Sequence, residues 1–126
     1  PFTAAGIDVL AMRDNPRFDF DMVKCLDANN LDTTACTLPR TQLLAAVSPL
    51  DSLAATPGIH TLDMTDQLCT AQECPGIIGN TFVYMDHDHL SRTYLETTTG
   101  VLARRILAAT GWEGTAVSAT TNELLE

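Results

Sequence analysis

The chain has 126 residues, of which 45% are apolar, and this length and composition suit one compact domain or a large part of one. Its 16 acidic and 7 basic residues give a formal charge of -9, which repels phosphate backbones and anionic membrane surfaces, so we expect no nucleic acid partner. No apolar run reaches the roughly 18 consecutive residues that a membrane-spanning helix requires.

The first third of the chain predicts one strand followed by an irregular excursion. Residues 6–12 form a short apolar run that ends at the turn-forming residues 13–16, so we predict a buried strand there. Residues 18–39 show no apolar period and contain Asp, Asn, Thr and two cysteines. We expect this segment to have little core of its own and to depend on a disulfide for its order.

The middle of the chain predicts two short helices and a strand. Residues 41–47 begin a helical pattern, and residues 48–55 restart one with a serine as the N-cap and a proline in the first turn. Residues 59–64 alternate between apolar and polar, as a half-buried strand does. His60 lies within this strand, where a histidine is more often exposed or hydrogen-bonded than catalytic.

The last third predicts a strand, a turn and a long helix. Residues 65–69 predict a short turn or helix, and the apolar residues 77–84 predict a strand. Residues 91–111 carry apolar side chains at near-helical spacing, which indicates an amphipathic helix. Near its end, Arg104 and Arg105 are expected to complement the helix C-terminus rather than to bind a ligand.

This order of elements predicts the fold class. Strands that alternate with helical segments favour an α/β domain with a mostly parallel sheet, here over residues 1–111. Ligands of such sheets gather beyond the carboxyl ends of the strands. Residues 112–126 have no clear period, and we expect an edge strand or a frayed tail with Trp112 as its anchor.

Four cysteines fall into two local pairs, which are Cys25 with Cys36 and Cys69 with Cys74. Such spacing fits two short-loop disulfides and hence an oxidising compartment. Free cysteines are the second interpretation. Zinc is the third, because structural zinc favours repeated pairs that are two to four residues apart.

The segment after the strand at residues 77–84 carries the chemistry of the chain, because it reads Asp86, His87, Asp88 and His89 in succession. A histidine that acts as a base must be held in one tautomer, and its positive charge must be stabilised. A carboxylate three residues upstream across a tight turn does both. Asp86 and His89 are therefore the candidate catalytic residues.

Two other interpretations of the same segment stay open. In the first, Asp86 or Asp88 caps the following helix, and His89 is a solvated surface residue. In the second, an extended backbone points His87 and His89 to one side as metal ligands, with the two carboxylates on the other face.

Asp86-x-x-His89-Leu90-Ser91 resembles the last conserved block of SGNH (GDSL-type) hydrolases. Together with Cys69-x4-Cys74-Pro75, the following apolar strand and a helix that contains Tyr94, it resembles more narrowly the SGNH domain fused to bacterial acyltransferase-three membrane proteins. The upstream residues 9–16 and Cys25 resemble a strand, an Asp-x-Pro turn and a cysteine of those domains, so the resemblance spans about residues 6–107. Met85 and His87 depart from it, at positions where arginine and a second acid are frequent.

The resemblance implies a fold, a mechanism and a location. The fold would be a three-layer α/β/α domain, present here as its C-terminal part, because no serine, glycine or asparagine block occurs in the chain and all three should precede Pro1. His89 would deprotonate the missing serine, and Asp86 would orient His89. The domain would act outside the cytoplasmic membrane with the membrane acyltransferase domain of the same polypeptide. It would move acyl groups from a donor onto cell-surface carbohydrate, without a cofactor.

Three functional hypotheses follow. The first is an SGNH-type acyltransferase or esterase, inactive unless the serine-bearing part accompanies it. The second is an extracytoplasmic carbohydrate-binding or interaction module without catalysis. The third is a metal-dependent hydrolase that uses His87 and His89. We favour the first.

Overall fold

The computed structural model describes residues 2–112. The tail predicted beyond Trp112 lies outside the described residues, and Trp112 itself is exposed. Short helices and strands, the last three of them consecutive strands, precede one long C-terminal helix. The α-helices and strands, in chain order, are β1 (Val9–Met12), α1 (Met22–Ala28), β2 (Leu38–Pro39), α2 (Arg40–Leu43), β3 (Ile59–Leu62), β4 (Glu73–Cys74), β5 (Ile77–Ile78), β6 (Thr81–Phe82) and α3 (Arg92–Thr110).

The first predicted strand and the strand after residue 58 pair in parallel. In register, Val9 of β1 lies opposite Ile59 of β3, and Met12 lies opposite Leu62. The prediction that β1 is buried is wrong for the described residues, because its side chains are half-buried or exposed. His60 of β3 is hydrogen-bonded, as expected, and its Nδ1 lies 2.8 Å from the Ala109 carbonyl oxygen at the end of α3.

The sheet is less parallel than the sequence predicts. Of the three two-stranded sheets in the described residues, only β1–β3 is parallel, while β2–β4 and β5–β6 are antiparallel. The strand predicted over residues 77–84 is instead a hairpin. Gly79 adopts φ +61, in the left-handed region that glycine enters without strain, and the chain reverses so that Phe82 pairs with Ile77. The observed fold is therefore a mixed α/β domain with small sheets.

Residues 18–39 form an ordered part of the core, so the prediction of an excursion with little core is wrong. The Asp21 carboxylate accepts a hydrogen bond from the Lys24 amide and caps α1. Met22 and Leu26, four residues apart, share one face of α1 and are fully buried. A seven-residue helix is too short for this period to stand out in the sequence. The core cluster comprises Phe18, Met22, Leu26, Cys36, Leu68, Cys69, Cys74, Val83, Tyr84 and Tyr94.

Both predicted disulfides are present. Cys25 of α1 is bonded to Cys36, at the end of the 3-10 helix Thr33–Cys36, and Cys69 is bonded to Cys74. No free cysteine occurs in the part of the chain that the structure describes. The bonds join segments that contribute buried residues to one core.

The two predicted helices in the middle of the chain are shorter than expected. The first is α2, which spans only Arg40–Leu43. The second is the 3-10 helix Pro49–Ser52, where the Ser48 hydroxyl accepts a hydrogen bond from the Leu50 amide, as the capping pattern predicts.

The long C-terminal helix is formed as predicted. The Ser91 hydroxyl caps it by accepting from the Tyr94 amide, and Gly111 ends it at φ +69. The expectation that Arg105 complements the helix C-terminus is wrong. Its guanidinium instead forms two hydrogen bonds of 2.6 Å to the Asp66 carboxylate, which tie α3 to the 3-10 helix Thr65–Gln67. Over the described residues, none of the helices combines the length and the hydropathy that a membrane span needs.

Candidate functional site

The candidate site is a tight turn closed at its base by a short antiparallel bridge. Tyr84 and Leu90 form this bridge, and the Met85 amide donates to the His89 carbonyl oxygen at 2.8 Å. Tyr84 is fully buried, and the Phe18 ring packs against its edge at a centroid distance of 5.0 Å. The turn therefore projects from a rigid aromatic base.

The loop before α1 holds the other side of the turn. The carbonyl oxygens of residues 86–88 each accept a hydrogen bond from this loop or from the start of α1. The donors are the Met22 amide at 3.2 Å, the Phe18 amide at 2.8 Å and the Asn15 side-chain amide at 2.6 Å, respectively. Since three consecutive carbonyls are bonded to one neighbouring segment, the backbone of the turn is fixed relative to the core.

Asp86 organises the interior of the turn. Its Oδ1 accepts hydrogen bonds from the backbone amides of Asp88 at 2.9 Å and His89 at 2.8 Å, the pattern of an Asx turn. Its Oδ2 lies 2.8 Å from His89 Nδ1. The two backbone amides, and after them the imidazole, hold the pKa of the Asp86 carboxyl well below its usual range.

His89 is oriented on one nitrogen and open on the other. Because an ionised carboxylate only accepts hydrogen bonds, the contact with Asp86 places the proton of neutral His89 on Nδ1 and leaves Nε2 free to take a proton. The hydrogen bond to Asp86, followed by the charges of Asp86 and Asp88, raises the pKa of His89. The His89 side chain as a whole is 73% exposed.

Two more charged groups and a second imidazole surround this pair. Asp88 Oδ1 lies 3.2 Å from His89 Nδ1, and Asp88 Oδ2 lies 3.0 Å from an Arg17 guanidinium nitrogen. His87 Nε2 lies 3.3 Å from Asp88 Oδ1, and His87 Nδ1 lies 3.8 Å from Asp86 Oδ1. The site is therefore a cluster of two carboxylates, two imidazoles and one guanidinium.

The structure brings the two predicted catalytic side chains together. The rival interpretation of a helix cap is wrong in its first half, because Ser91 caps α3 while Asp86 bonds the amides of its own turn. Its second half holds, in that the His89 ring is largely solvated. The catalytic role of Asp86 and His89 stays a prediction.

The metal interpretation fits the structure less well than the interpretation of Asp86 and His89 as a hydrogen-bonded pair. It predicted an extended segment with imidazoles and carboxylates on opposite faces, whereas the segment is a turn in which both kinds of side chain meet. Single ligand atoms of Asp86, His87 and Asp88 do lie within 4.8 Å of one another. However, the Arg17 guanidinium already pairs with the Asp88 carboxylate and opposes a second cation there.

Among the clefts of the described residues, two that lie near the turn are lined by residues other than His89. One of about 240 Å³ lies between the loop from Arg13 to Arg17 and the wall formed by Leu43, Leu44 and Pro49. The other, of about 80 Å³, is almost wholly apolar and runs along α3 from Leu90. Arg13 forms part of the first cleft but is structural, because it bonds Asp63 at 3.2 Å and the Ala45 carbonyl at 2.6 Å.

Sequence reasoning missed the residues that support the site from outside the turn. Asn15 and Arg17 lie about 70 positions before the carboxylate turn, and the sequence separation between Asn15 and Asp88 is 73. Residues 13–16 read as a turn, and no local pattern indicates which distant segment such a turn would contact. Only the packing of α1 against the turn brings these residues to Asp88.

A family model described as "SGNH domain (fused to AT3 domains)" matches residues 2–104 of the chain. No curated protein and no solved structure matches the chain. The matched range includes the turn, both disulfides and most of α3.

Proposed function

The chain belongs to the family of SGNH domains fused to AT3 domains, and on that premise we propose that it forms the C-terminal part of an extracytoplasmic SGNH-type O-acyltransferase or esterase. The family is one of acyl-modifying esterases and acyltransferases. The proposed substrate is an O-acyl group carried to or from cell-surface carbohydrate, and the nucleophilic serine comes from a part of the polypeptide outside this sequence.

The observation that carries this proposal is the contact between His89 Nδ1 and Asp86 Oδ2 at 2.8 Å. It leaves His89 Nε2 unprotonated and exposed at the rim of a rigid turn, as a general base requires. Asp86 is held ionised by two backbone amides, so it stabilises the imidazolium that forms during the reaction. Base catalysis of this type contributes about 10² to 10⁴-fold to a rate.

In the first half-reaction, the serine oxygen bonds to the carbonyl carbon of the acyl donor while its proton passes to His89 Nε2. The bond from that carbon to the leaving oxygen then breaks, and the leaving group takes the proton back from Nε2. In the second half-reaction, a sugar hydroxyl or water gives its proton to Nε2 and attacks the acyl-serine, and the serine oxygen leaves with that proton. Transfer to a sugar gives an acyltransferase, and transfer to water gives an esterase.

The complete domain would be a three-layer α/β/α fold with a mostly parallel sheet. The parallel pair β1–β3, with α3 packed across it through Ala109 and His60, supplies part of that architecture. Further parallel strands, and the helices that cover both faces of such a sheet, would come from the serine-bearing part of the polypeptide.

The proposed compartment and partner follow from the disulfides and the family. Two disulfides persist best in an oxidising environment, which favours the periplasm or the outer face of the cell envelope. The proposed partner is the membrane acyltransferase domain of the same polypeptide, which would deliver the acyl group. The net charge of -9 disfavours nucleic acid as an alternative ligand.

The test uses the polypeptide that includes the serine-bearing part, with hydrolysis of a short acyl ester as the assay. We expect His89→Ala to lower kcat/KM by about 10² to 10⁴-fold and a chelator to have no effect. His60→Ala is the matched control, because it removes an imidazole that bonds to the end of α3 instead.

Two results would redirect the proposal. Carbohydrate binding that survives His89→Ala, with no turnover in any variant, would establish the non-catalytic binding module instead. Activity that a chelator abolishes would establish the metal-dependent hydrolase.

A further inference from the structure

One carboxylate oxygen of the site has no hydrogen bond of its own. Asp88 Oδ1 is buried and makes none in the part of the chain that the structure describes, although His89 Nδ1 is 3.2 Å away and His87 Nε2 is 3.3 Å away. The contact with His89 has a hydrogen-bond distance without hydrogen-bond alignment. A buried acceptor left in this way is costly unless a donor reaches it in another state of the site.

The Asp88 carboxylate is fixed in place from the far side. The Arg17 guanidinium lies 3.0 Å from Asp88 Oδ2, and the Asn15 side-chain amide donates to the Asp88 carbonyl at 2.6 Å. The Asp88 side chain is only 15% exposed, whereas that of Arg17 is 68% exposed. Arg17 therefore holds one oxygen of Asp88, which leaves the other turned toward His89.

We propose that Asp88 is the second acceptor for the Nδ1 proton of His89, and that Arg17 holds it in that position. Both are positioning residues, and the inference rests on the proposed function. A small rotation of the imidazole moves Nδ1 from Asp86 Oδ2 at 2.8 Å to Asp88 Oδ1 at 3.2 Å. His89 thus keeps the same tautomer while Nε2 follows the proton from the attacking to the leaving oxygen.

Asp88 and Arg17 act on His89 through their charges as well as through their positions. The hydrogen bond to Asp86 and the charges of Asp86 and Asp88 raise the pKa of His89, and the charge of Arg17 lowers it by less. His87 faces the same two carboxylates. Arg17 therefore offsets only part of the Asp88 charge at His89, and its contact with Asp88 Oδ2 also fixes where Asp88 Oδ1 lies.

The kinetic test compares single and double variants in the polypeptide that includes the serine-bearing part. With Asp88 in reserve, Asp86→Asn should lower kcat by about 10 to 10²-fold, well short of the roughly 10⁴-fold seen when the lone carboxylate of a triad is neutralised. Asp86→Asn with Asp88→Asn should lose as much as His89→Ala. Asp51→Asn is the control, because it removes one negative charge from the exposed 3-10 helix Pro49–Ser52.

A second measurement does not depend on catalysis and uses the 126-residue chain itself. The 15N chemical shifts of the His89 ring report which nitrogen carries the proton. We expect the Nδ1-protonated tautomer to persist in Asp86→Asn and to be lost in the double variant. Arg17→Gln added to Asp86→Asn should also lose it, and Arg17→Lys in the same background should restore most of it.

The two measurements separate the two proposals. If the tautomer depends on Asp88 but no variant shows turnover, the positioning role stands and the proposed function fails. If turnover occurs but Asp86→Asn alone loses as much as the double variant, and its tautomer is lost as well, the second-acceptor role is overturned.

Discussion

Removal of the disulfide between Cys25 and Cys36 should destabilise the domain more than removal of the one between Cys69 and Cys74. The first bond closes a loop with a sequence separation of 11, and the second closes one of 5. In the loop-entropy relation these separations correspond to about 3 and about 2 kcal/mol at ~25 °C. The order of the two values follows from loop length alone.

The larger loss should also reach the candidate site. Cys25 belongs to α1, whose first residue, Met22, donates its amide to the Asp86 carbonyl. When α1 is no longer tied to Cys36, this hydrogen bond becomes part of a looser segment. We therefore expect the ordered Asp86–His89 contact to weaken in the variant before the whole domain unfolds.

Urea unfolding of the two double Cys→Ala variants tests this reasoning. The free energy of unfolding, extrapolated to water, and its dependence on urea concentration are compared between the two variants. Amide hydrogen exchange at Met22 tests the local effect. The reasoning is refuted if the variant that lacks Cys69 and Cys74 is the less stable one, or if exchange at Met22 is equal in both variants.

Three further predictions concern pH and packing. The pKa of His89 lies above its ordinary value of 6.5, and a general base must be neutral, so kcat/KM should begin to fall with decreasing pH at a pH above 6.5. Asp86→Asn should move this acid-side decrease to a lower pH. A decrease that stays at the same pH would contradict the contact between Asp86 and His89. Hydrogen bonds from Arg105 lower the pKa of Asp66 from 3.8 to about 2, so this pair stabilises the fold fully above pH 3.8 and loses its contribution as the pH falls through about 2. Because Asp66 is 59% exposed, we expect less than about 1 kcal/mol, measured as the difference between wild type and Asp66→Asn at pH 5 and at ~pH 2. A methyl group at Gly76 would lie 2.3 Å from the sulfur atom of the fully buried Met22. Gly76→Ala should therefore lower the free energy of unfolding by about 1 to 3 kcal/mol. An unchanged Tm would show that the Met22 side chain moves aside without cost.

The parts of the fold that sequence reasoning predicted correctly depend on residues close together in the chain. The cap at Ser48, the extent of the last helix up to Gly111 and both cysteine pairs are all short-range patterns. Where reasoning failed, the element was too short to show a period, the chain reversed within an apolar run, or the deciding contact was not local. The buried face of α1 consists of only two side chains. The residues around the reversal at Gly79 have the sequence pattern of one continuous strand.

The same division holds at the site. A spacing of three residues was enough to predict that Asp86 reaches His89. Asp86 Oδ1 accepts hydrogen bonds from two backbone amides of its own turn, and this orients Asp86 Oδ2 toward His89 Nδ1. The placement of Arg17 and Asn15 behind Asp88 could not be predicted in this way. Those contacts join segments about 70 residues apart, and they exist only because the core around Phe18 packs the two segments together. Local hydrogen bonding thus determines the acid–imidazole pair, while long-range packing decides what holds it in place.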